Sequence, residues 1–342
     1  MPQESLHLIE PTPSRDPVQI ALPREMTPRL FAATGTRITP QVEWVEIQVK
    51  SVLNRVQGMG FDWSINPFRG CEHACSFCYA RRTHWFLDQD GVNNWSSRIF
   101  VKVNAPAVLR RELARSSWMR EEVHIGTATD PYQPAEGAYR ITRQVLEALR
   151  DFETPASIVT RSTMVIRDKD ILRDLAHGAG ATVCFSITTI DPDLSRELEP
   201  QAPPPLRRLE VMRELRDAGV DTAVLLAPVI PGITDAPHQL EAVVRAARKY
   251  RAGALWTNAL HLGDVTRQAF FDYLVKYRPA LVPEYEQLYR GKYAPASYRR
   301  RVQEIVAALK RRAGFPAHSP DVEPAPQPTP RLEPDQIQLF RG

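Results

Sequence analysis

Three closely spaced cysteines constrain this chain more than any other feature. Cys71, Cys75 and Cys78 form a C-x3-C-x2-C spacing, and Phe77 stands directly before the last thiol. A cubane [4Fe–4S] cluster is normally held by four thiolates. Three thiolates from one loop hold three irons and leave the fourth with an open coordination position, which separates a reactive metal centre from a closed structural one. The spacing therefore predicts a reactive iron–sulfur site.

The main alternative is that these cysteines bind a structural zinc ion. Structural zinc sites use four ligands, typically from two separate pairs, and His73 or His84 would have to complete a Cys3His set. A disulfide framework fits poorly, because only four cysteines occur in 342 residues. The N-terminus also carries no apolar signal segment, and intracellular thiols are kept reduced. We therefore expect an iron–sulfur cluster in a cytoplasmic protein.

The composition narrows the class of protein only slightly. Hydrophobic residues make up 43% and charged residues 25% of the chain, as in ordinary globular proteins. No segment reaches the roughly 20 apolar residues that cross a bilayer, so no membrane span is expected. The net charge of +4 is compatible with a nucleic-acid partner but does not identify one.

In the middle of the chain, short β-branched runs alternate with amphipathic helical patterns. Strands are predicted at residues 61–65, 123–126, 156–160, 182–189, 222–228 and 254–258. Helices are predicted between them at residues 139–152, 168–177, 206–218 and 238–250. Helices between successive strands imply parallel strands joined by right-handed crossovers. The expected fold is therefore α/β, a partial (β/α)6 TIM-type barrel.

The cysteine spacing resembles that of the radical S-adenosylmethionine (SAM) enzymes, in which the methionine part of the cofactor chelates the free iron. Segments 66–71, 129–134 and 160–162 further resemble the spore photoproduct lyase-like branch, also called DNA repair photolyase-like. The resemblance covers residues 45–289. It implies a [4Fe–4S] cluster and S-adenosyl-L-methionine, which is cleaved reductively to a 5′-deoxyadenosyl radical. It also implies an electron donor such as flavodoxin or ferredoxin.

Polar residues at the strand ends are the candidates for binding this cofactor, because parallel barrels carry their functional groups there. Asp130 is expected to accept from the ammonium group, with a neutral hydrogen bond from Thr129. The fork-shaped guanidinium of Arg161 suits the carboxylate. Ser186 and Thr188 share one face of the fourth strand and are expected to bind the ribose hydroxyls. The alternative for Asp130 is an Asp-Pro turn, and the alternative for Arg161 is an ordinary surface arginine.

Two aromatic residues flank the third cysteine. In the resembled family the aromatic at the position of Phe77 lies beside the adenine ring, and Tyr79 is the candidate catalytic residue. Three departures from the lyase weaken a transfer of its reaction. Thr127 stands where the lyase has a cysteine hydrogen donor, Phe77 replaces a tyrosine, and Arg161 replaces a lysine. The resemblance therefore implies the radical-generating machinery rather than thymine-dimer repair itself. Of the two substrate classes, a nucleic acid is the leading hypothesis and a protein or peptide side chain is the alternative.

The two ends of the chain differ from its middle. Residues 1–40 and 314–342 are rich in proline and polar residues and are expected to be disordered extensions of a radical SAM core at residues 41–290. Residues 291–313 are expected to form a basic helix, either a solvated face or a phosphate-contacting patch. Residues 336–340, with Gln336 followed by Leu339 and Phe340, resemble a peptide that docks on the bacterial sliding clamp. A non-catalytic zinc- and clamp-binding adaptor is the non-enzymatic alternative.

Overall fold

The structure of the protein, a computed structural model, describes residues 42–87 and 89–316, without the side chains of residues 85–87. Its strands are β1 (Glu43–Ile47), β2 (Asn54–Arg55), β3 (Trp63–Ile65), β4 (Phe68–Arg69), β5 (Arg98–Lys102), β6 (Val123–Ile125), β7 (Ala156–Thr160), β8 (Ala181–Ser186), β9 (Asp221–Val229) and β10 (Ala254–Ala259). Its α-helices are α1 (Ala105–Leu113), α2 (Pro134–Tyr139), α3 (Ile141–Asp151), α4 (Lys169–His177), α5 (Pro192–Leu198), α6 (Pro205–Asp217), α7 (Pro237–Lys249), α8 (Asp264–Tyr277), α9 (Val282–Leu288) and α10 (Ala296–Arg312). Short 3-10 helices span Tyr79–Leu87, Thr163–Asp168 and Pro279–Leu281.

The main sheet has seven strands in the order β10-β9-β8-β7-β6-β3-β2. All pairs from β3 to β10 are parallel, and only β2 is antiparallel to its neighbour. Each parallel strand lies beside the next one in the chain, with helices in the connections, so the fold is the predicted partial (β/α)6 barrel. Ile65, Ile125, Ile158 and Val183 are paired in register across four strands and are fully buried. This apolar row is a central part of the core.

The predicted strands and helices agree with the structure to within one to three residues at each end. The predicted strand at 156–160 coincides with β7 (Ala156–Thr160). The strand predicted at 182–189 ends earlier, at Ser186, because the chain turns there toward α5. Thr188 therefore lies beyond the strand, and the period-two argument does not apply to it. This difference changes the surroundings of one candidate ligand.

A second sheet was not predicted from the sequence. It has three strands in the order β1-β5-β4, with β1 parallel and β4 antiparallel to β5. Strand β4 has only two residues and directly precedes Gly70 and Cys71, so this sheet holds the start of the cysteine segment. Phe68, Ile99 and Val101 are buried on the side of this sheet that joins the main hydrophobic core.

Helix α10 lies within the range predicted for the C-terminal basic helix, but not all of its basic side chains are exposed. Val302, Val306 and Leu309 are buried, as the periodicity predicts. Lys310 was expected to be exposed, but it is only 8% exposed, because the last helical turn packs onto the body of the protein. None of the helices in residues 42–87 and 89–316 is long and apolar enough to cross a membrane. Residues 1–40 and the predicted clamp peptide at 336–340 lie outside the described residues.

Candidate active site

A cavity of about 270 Å3 lies at the carboxyl ends of the parallel strands. Its wall includes the three cysteines together with residues from the ends of successive strands: Gly126, Thr160, Arg161, Ser186, Pro228 and Asn258. The strand-end rule for parallel barrels thus places the site where the sequence predicted it.

The cysteine loop, residues 70–78, is held in place mainly by backbone hydrogen bonds. The Cys71 N–H donates to the carbonyl of Trp95 at 3.1 Å, and the Ser76 N–H donates to the carbonyl of Leu198 at 3.0 Å. Gly70 begins the loop with φ +84°, and a Cβ atom there would lie 2.8 Å from the carbonyl oxygen of Arg98. Only glycine combines this backbone angle with so close an approach. The loop conformation is therefore fixed by its surroundings.

The chemistry of the three thiols fits a metal cluster. Cys71 and Cys75 are buried, and Cys78 is half-buried. Burial raises the pKa of Cys75 to about 12. Burial, Asp130 and the neighbouring thiols also raise the pKa of Cys71 well above its ordinary value. Burial therefore disfavours the free thiolates, and metal ligation would compensate their charge.

A structural zinc ion needs four side chains that converge on a single ion. Within the described part of the chain, no group of three or more His, Cys, Asp or Glu side chains converges closely enough to hold one metal ion. A cubane cluster spreads its thiolates around several irons, so it does not need such convergence. Each candidate fourth ligand of a zinc ion has another polar neighbour: His73 Nε2 lies 3.2 Å from Asp130, and His84 Nε2 lies 3.2 Å from the carbonyl of Arg98.

Asp130 joins the ends of β6 and β7 to the cysteine loop. Its Oδ1 accepts from the Tyr132 N–H at 2.9 Å and the Thr160 hydroxyl at 2.7 Å. Its Oδ2 accepts from the Arg161 N–H at 2.7 Å and faces His73. Burial alone would raise the pKa of Asp130, but His73 and these donors outweigh it and lower the pKa to about 2. The carboxylate is thus charged and largely engaged, and its predicted contact with the cofactor ammonium stays a prediction.

Thr129 anchors the start of the cysteine loop. Its hydroxyl donates to the carbonyl of Gly70 at 2.6 Å and accepts from Gln133 Nε2 at 3.0 Å. Gln133, fully buried, also accepts from the Glu72 N–H at 3.0 Å. Thr129 lines the cavity, so its predicted hydrogen bond to the cofactor stays a prediction beside this observed anchoring role.

Arg161 belongs to a buried charge network that the sequence did not indicate. Its Nε–H donates to Glu199 Oε1 at 3.0 Å, and the fully buried Arg208 donates to Glu199 Oε2 at 2.5 Å. Thr188 donates its hydroxyl to the same carboxylate at 3.1 Å and is not part of the cavity wall. Its predicted ribose contact stays a prediction, although the network already occupies its hydroxyl.

The two aromatic candidates, Phe77 and Tyr79, both line the cavity. Phe77 is 4% exposed, lines the cavity and carries the Arg161 guanidinium 5.5 Å from its ring centre. Tyr79 is 44% exposed, and its hydroxyl donates to the carbonyl of Thr127. Ser186 is buried and lines the cavity at the end of β8. The structure thus brings Phe77, Tyr79, Arg161 and Ser186 to the same cavity.

A group of residues that we call the basic rim borders the cavity beyond β10. It comprises His261, Tyr293, Arg82, Lys292 and Arg299. His261 lines the cavity, and its ring centre lies 4.8 Å from that of Tyr293. Lys292 and Arg299 lie 5.4 and 5.5 Å from the Tyr293 ring centre. Burial, Lys292 and Arg82 lower the pKa of His261 to about 4.

Both ring nitrogens of His261 are buried and, among the described residues, have no hydrogen-bond partner. The imidazole is therefore neutral at pH 7 and offers one donor and one acceptor to a bound molecule. Sequence reasoning missed this residue, because it took strand β10 to end at Asn258. The strand-end rule would have found it three residues further along.

The comparisons with known proteins agree with this geometry. The family model of the Radical SAM superfamily matches residues 65–247, more than half of the chain. An uncharacterised protein of Mycobacterium tuberculosis is 39% identical over 303 residues, covering 86% of this chain and 87% of the relative. A radical SAM Nalpha-GlyT isomerase of Pseudomonas phage M6 is 25% identical over 204 residues, covering 57% and 40%.

Among solved structures, spore photoproduct lyase complexed with dinucleoside spore photoproduct is similar to this chain. The two share 15% sequence identity and a TM-score of 0.60, over 79% of each chain. At this identity the match shows a common fold and no more.

Proposed function

Because this chain belongs to the radical SAM superfamily, we propose that Cys71, Cys75 and Cys78 hold its [4Fe–4S] cluster and that it acts on nucleic acid. The chain is a radical SAM enzyme, and its cofactors are a [4Fe–4S] cluster and SAM. Together these supply a 5′-deoxyadenosyl radical by reductive cleavage of SAM. The protein's own contribution is to position the reactants and to exclude water.

The residues around the cavity divide the binding of SAM between them. Arg161 uses its Nε–H for Glu199, which leaves its terminal N–H groups for the cofactor carboxylate. Phe77 supplies an apolar wall for the adenine, and Ser186 supplies a hydroxyl for the ribose. Asp130 and Thr129 hold the strand ends and the loop in the geometry that these contacts require.

The basic rim is the observation that supports a nucleic-acid substrate. Arg82 and Lys292 are exposed, and together with Arg299 they place three cations beside a cavity wall. Cations bind phosphates without reading sequence, and an aromatic ring such as Tyr293 stacks with bases. The neutral imidazole of His261 suits a nucleobase edge, which presents both donors and acceptors. Spore photoproduct lyase, which shares the fold, binds a dinucleoside in its solved complex.

The lyase reaction itself is not part of the proposal. At the position of its cysteine hydrogen donor this chain has Thr127, whose hydroxyl accepts a hydrogen bond from Asn66 Nδ2 at 3.2 Å. A threonine O–H bond does not readily give up a hydrogen atom to a carbon radical. The proposed substrate is therefore a nucleic acid that needs a different final hydrogen donor.

The radical chemistry is tested by anaerobic incubation of the reduced, cluster-loaded enzyme with SAM. We expect 5′-deoxyadenosine from the wild type, and neither cluster absorbance near 400 nm nor product from Cys75→Ala. A fully loaded, reduced enzyme that forms no 5′-deoxyadenosine would refute the proposed activity.

The substrate class is tested separately by the salt dependence of oligonucleotide binding. We expect the double variant Lys292→Glu/Arg299→Glu to bind more weakly and to reduce the slope of log K against log salt by about 2, one for each lost phosphate contact. The matched control, Arg173→Glu/Arg245→Glu, reverses two exposed charges on α4 and α7 and should bind as the wild type does. If the wild type shows no salt-dependent binding to DNA or RNA, the substrate is instead a protein or peptide.

A further inference from the structure

Two buried N–H groups beside the cysteine loop have no acceptor among the described residues. One is Nε1 of Trp95, a side chain that is 1% exposed, and the other is Nε of Arg81, which is 7% exposed. A buried donor without a partner is destabilising, so folded proteins retain few of them without a reason. Both groups lie next to the residues assigned to the cluster.

Trp95 is fixed against the first cysteine. Its backbone carbonyl accepts from the Cys71 N–H at 3.1 Å, and its side chain packs with Cys71 and Ala80 in a small buried cluster. Cys78 packs against the same cluster, and Trp95 lines the cavity with all three thiols. His84 meets the indole edge-on, with ring centres 5.1 Å apart. The indole is therefore held rigidly at the wall of the cluster site.

Arg81 places a buried positive charge under the same loop. Its Nη2 donates to the carbonyl of Cys75 at 3.1 Å, and its Nη1 donates to the carbonyl of Val92 at 3.0 Å. The guanidinium interacts electrostatically with all three cysteine sulfurs. In the described part of the chain no carboxylate forms an ion pair with it. A buried cation without a counter-ion is expensive, so this site fits a group that brings negative charge.

We propose that Trp95 Nε1–H and the Arg81 guanidinium stabilise the reduced cluster, by a hydrogen bond to a cluster sulfur and by a compensating charge. The inference rests on the proposed assignment of the cluster to the three cysteines. Adding an electron makes the thiolate-bound cluster more negative, which strengthens both interactions. Hydrogen bonds to sulfur and local charge are among the factors that set the reduction potential of iron–sulfur clusters. These two residues therefore make reduction easier.

The potential of the loaded enzyme tests this role. Trp95→Phe removes the indole N–H and keeps an aromatic ring. Trp118→Phe is the matched control, because the indole N–H of Trp118 donates to the Thr154 hydroxyl at 3.1 Å and Trp118 does not line the cavity. In EPR-monitored potentiometric titrations we expect Trp95→Phe to lower the equilibrium constant for reduction about tenfold, a shift of ~59 mV toward more negative potential. Arg81→Met should shift it in the same direction, and Trp118→Phe should leave it unchanged.

Iron and sulfide analysis keeps the two proposals separable. A wild type that takes up no cluster would refute the assignment of the three cysteines. Loaded Trp95→Phe and Arg81→Met with the wild-type potential would refute the inference alone.

A measurement on the wild type covers the case in which the variants do not load. The enzyme is labelled with 15N at the indole nitrogen of tryptophan, reduced and examined by pulsed EPR. We expect a coupling between an indole 15N and the cluster, and we expect it to persist in Trp118→Phe. A loaded, reduced enzyme without this coupling would refute the proposed hydrogen bond from Trp95.

Discussion

Neutralising Glu199 should destabilise the protein strongly, because this carboxylate pairs with both the fully buried Arg208 and the half-buried Arg161. Glu199 is 2% exposed and Arg208 is fully buried. Burial alone would raise the pKa of Glu199, but Arg208 and Arg161 lower it from 4.5 to about 2. At about 1.36 kcal/mol per tenfold change in proton affinity, this corresponds to roughly 3 kcal/mol. Removing one partner of a buried ion pair typically costs about 3–5 kcal/mol, so Glu199→Gln should lose about 3 kcal/mol.

The sign of the pH dependence follows from the lowered pKa. The stabilisation by Glu199 is fully present above pH 4.5, where the group is ionised in the unfolded chain, and it is lost as the pH falls through about 2. The difference between wild type and Glu199→Gln should therefore be constant near neutral pH and shrink below pH 4.5.

Urea unfolding under anaerobic conditions at pH 7 measures this difference, with Glu210→Gln as the control. Glu210 forms an exposed pair with Arg207, so the same chemical change there should cost less than about 1 kcal/mol. If Glu199→Gln and Glu210→Gln unfolded with the same free energy, the buried network would contribute nothing to stability. A loss of SAM affinity in Glu199→Gln is also expected, because the partner that orients Arg161 loses its negative charge.

Two further outcomes follow from the cavity wall. Gly126→Ala should lower the melting temperature in thermal unfolding by several degrees. Gly126 has φ +90°, and an added Cβ atom would lie 2.5 Å from the Val159 carbonyl oxygen. Strain of this kind costs about 1–3 kcal/mol, so an unchanged melting temperature would contradict the described backbone. Cys184→Ala should bind as much iron as the wild type in metal analysis, because Cys184 is a buried residue of β8 outside the cavity wall; a lower iron content would make it a fourth ligand.

The barrel and the position of the site were predictable from local patterns. Each barrel strand is a short apolar run followed by a helical pattern, and the cysteine motif follows the first run at once. The three-stranded sheet was not predictable, because β1 and β5 lie about 50 residues apart and β4 has two residues, so their pairing leaves no periodic signal.

Candidate ligands were less predictable than strands, because their hydrogen-bond partners come from distant parts of the chain. Thr188 was assigned to the cavity by alternation, but β8 ends at Ser186 and the hydroxyl turns to Glu199. Trp95 becomes notable only because its buried indole N–H has no acceptor among the described residues, which no linear pattern reveals.

The anchoring of the cysteine loop has a consequence for how the enzyme matures. In a zinc finger the chain folds only when the metal arrives. Here the loop is held by the carbonyls of Trp95 and Leu198 and by the hydrogen bond from Arg81 to Cys75, none of which involves iron. The polypeptide can thus be completed first and receive its inorganic part last. Loss of that part would leave the loop held in place by the same hydrogen bonds.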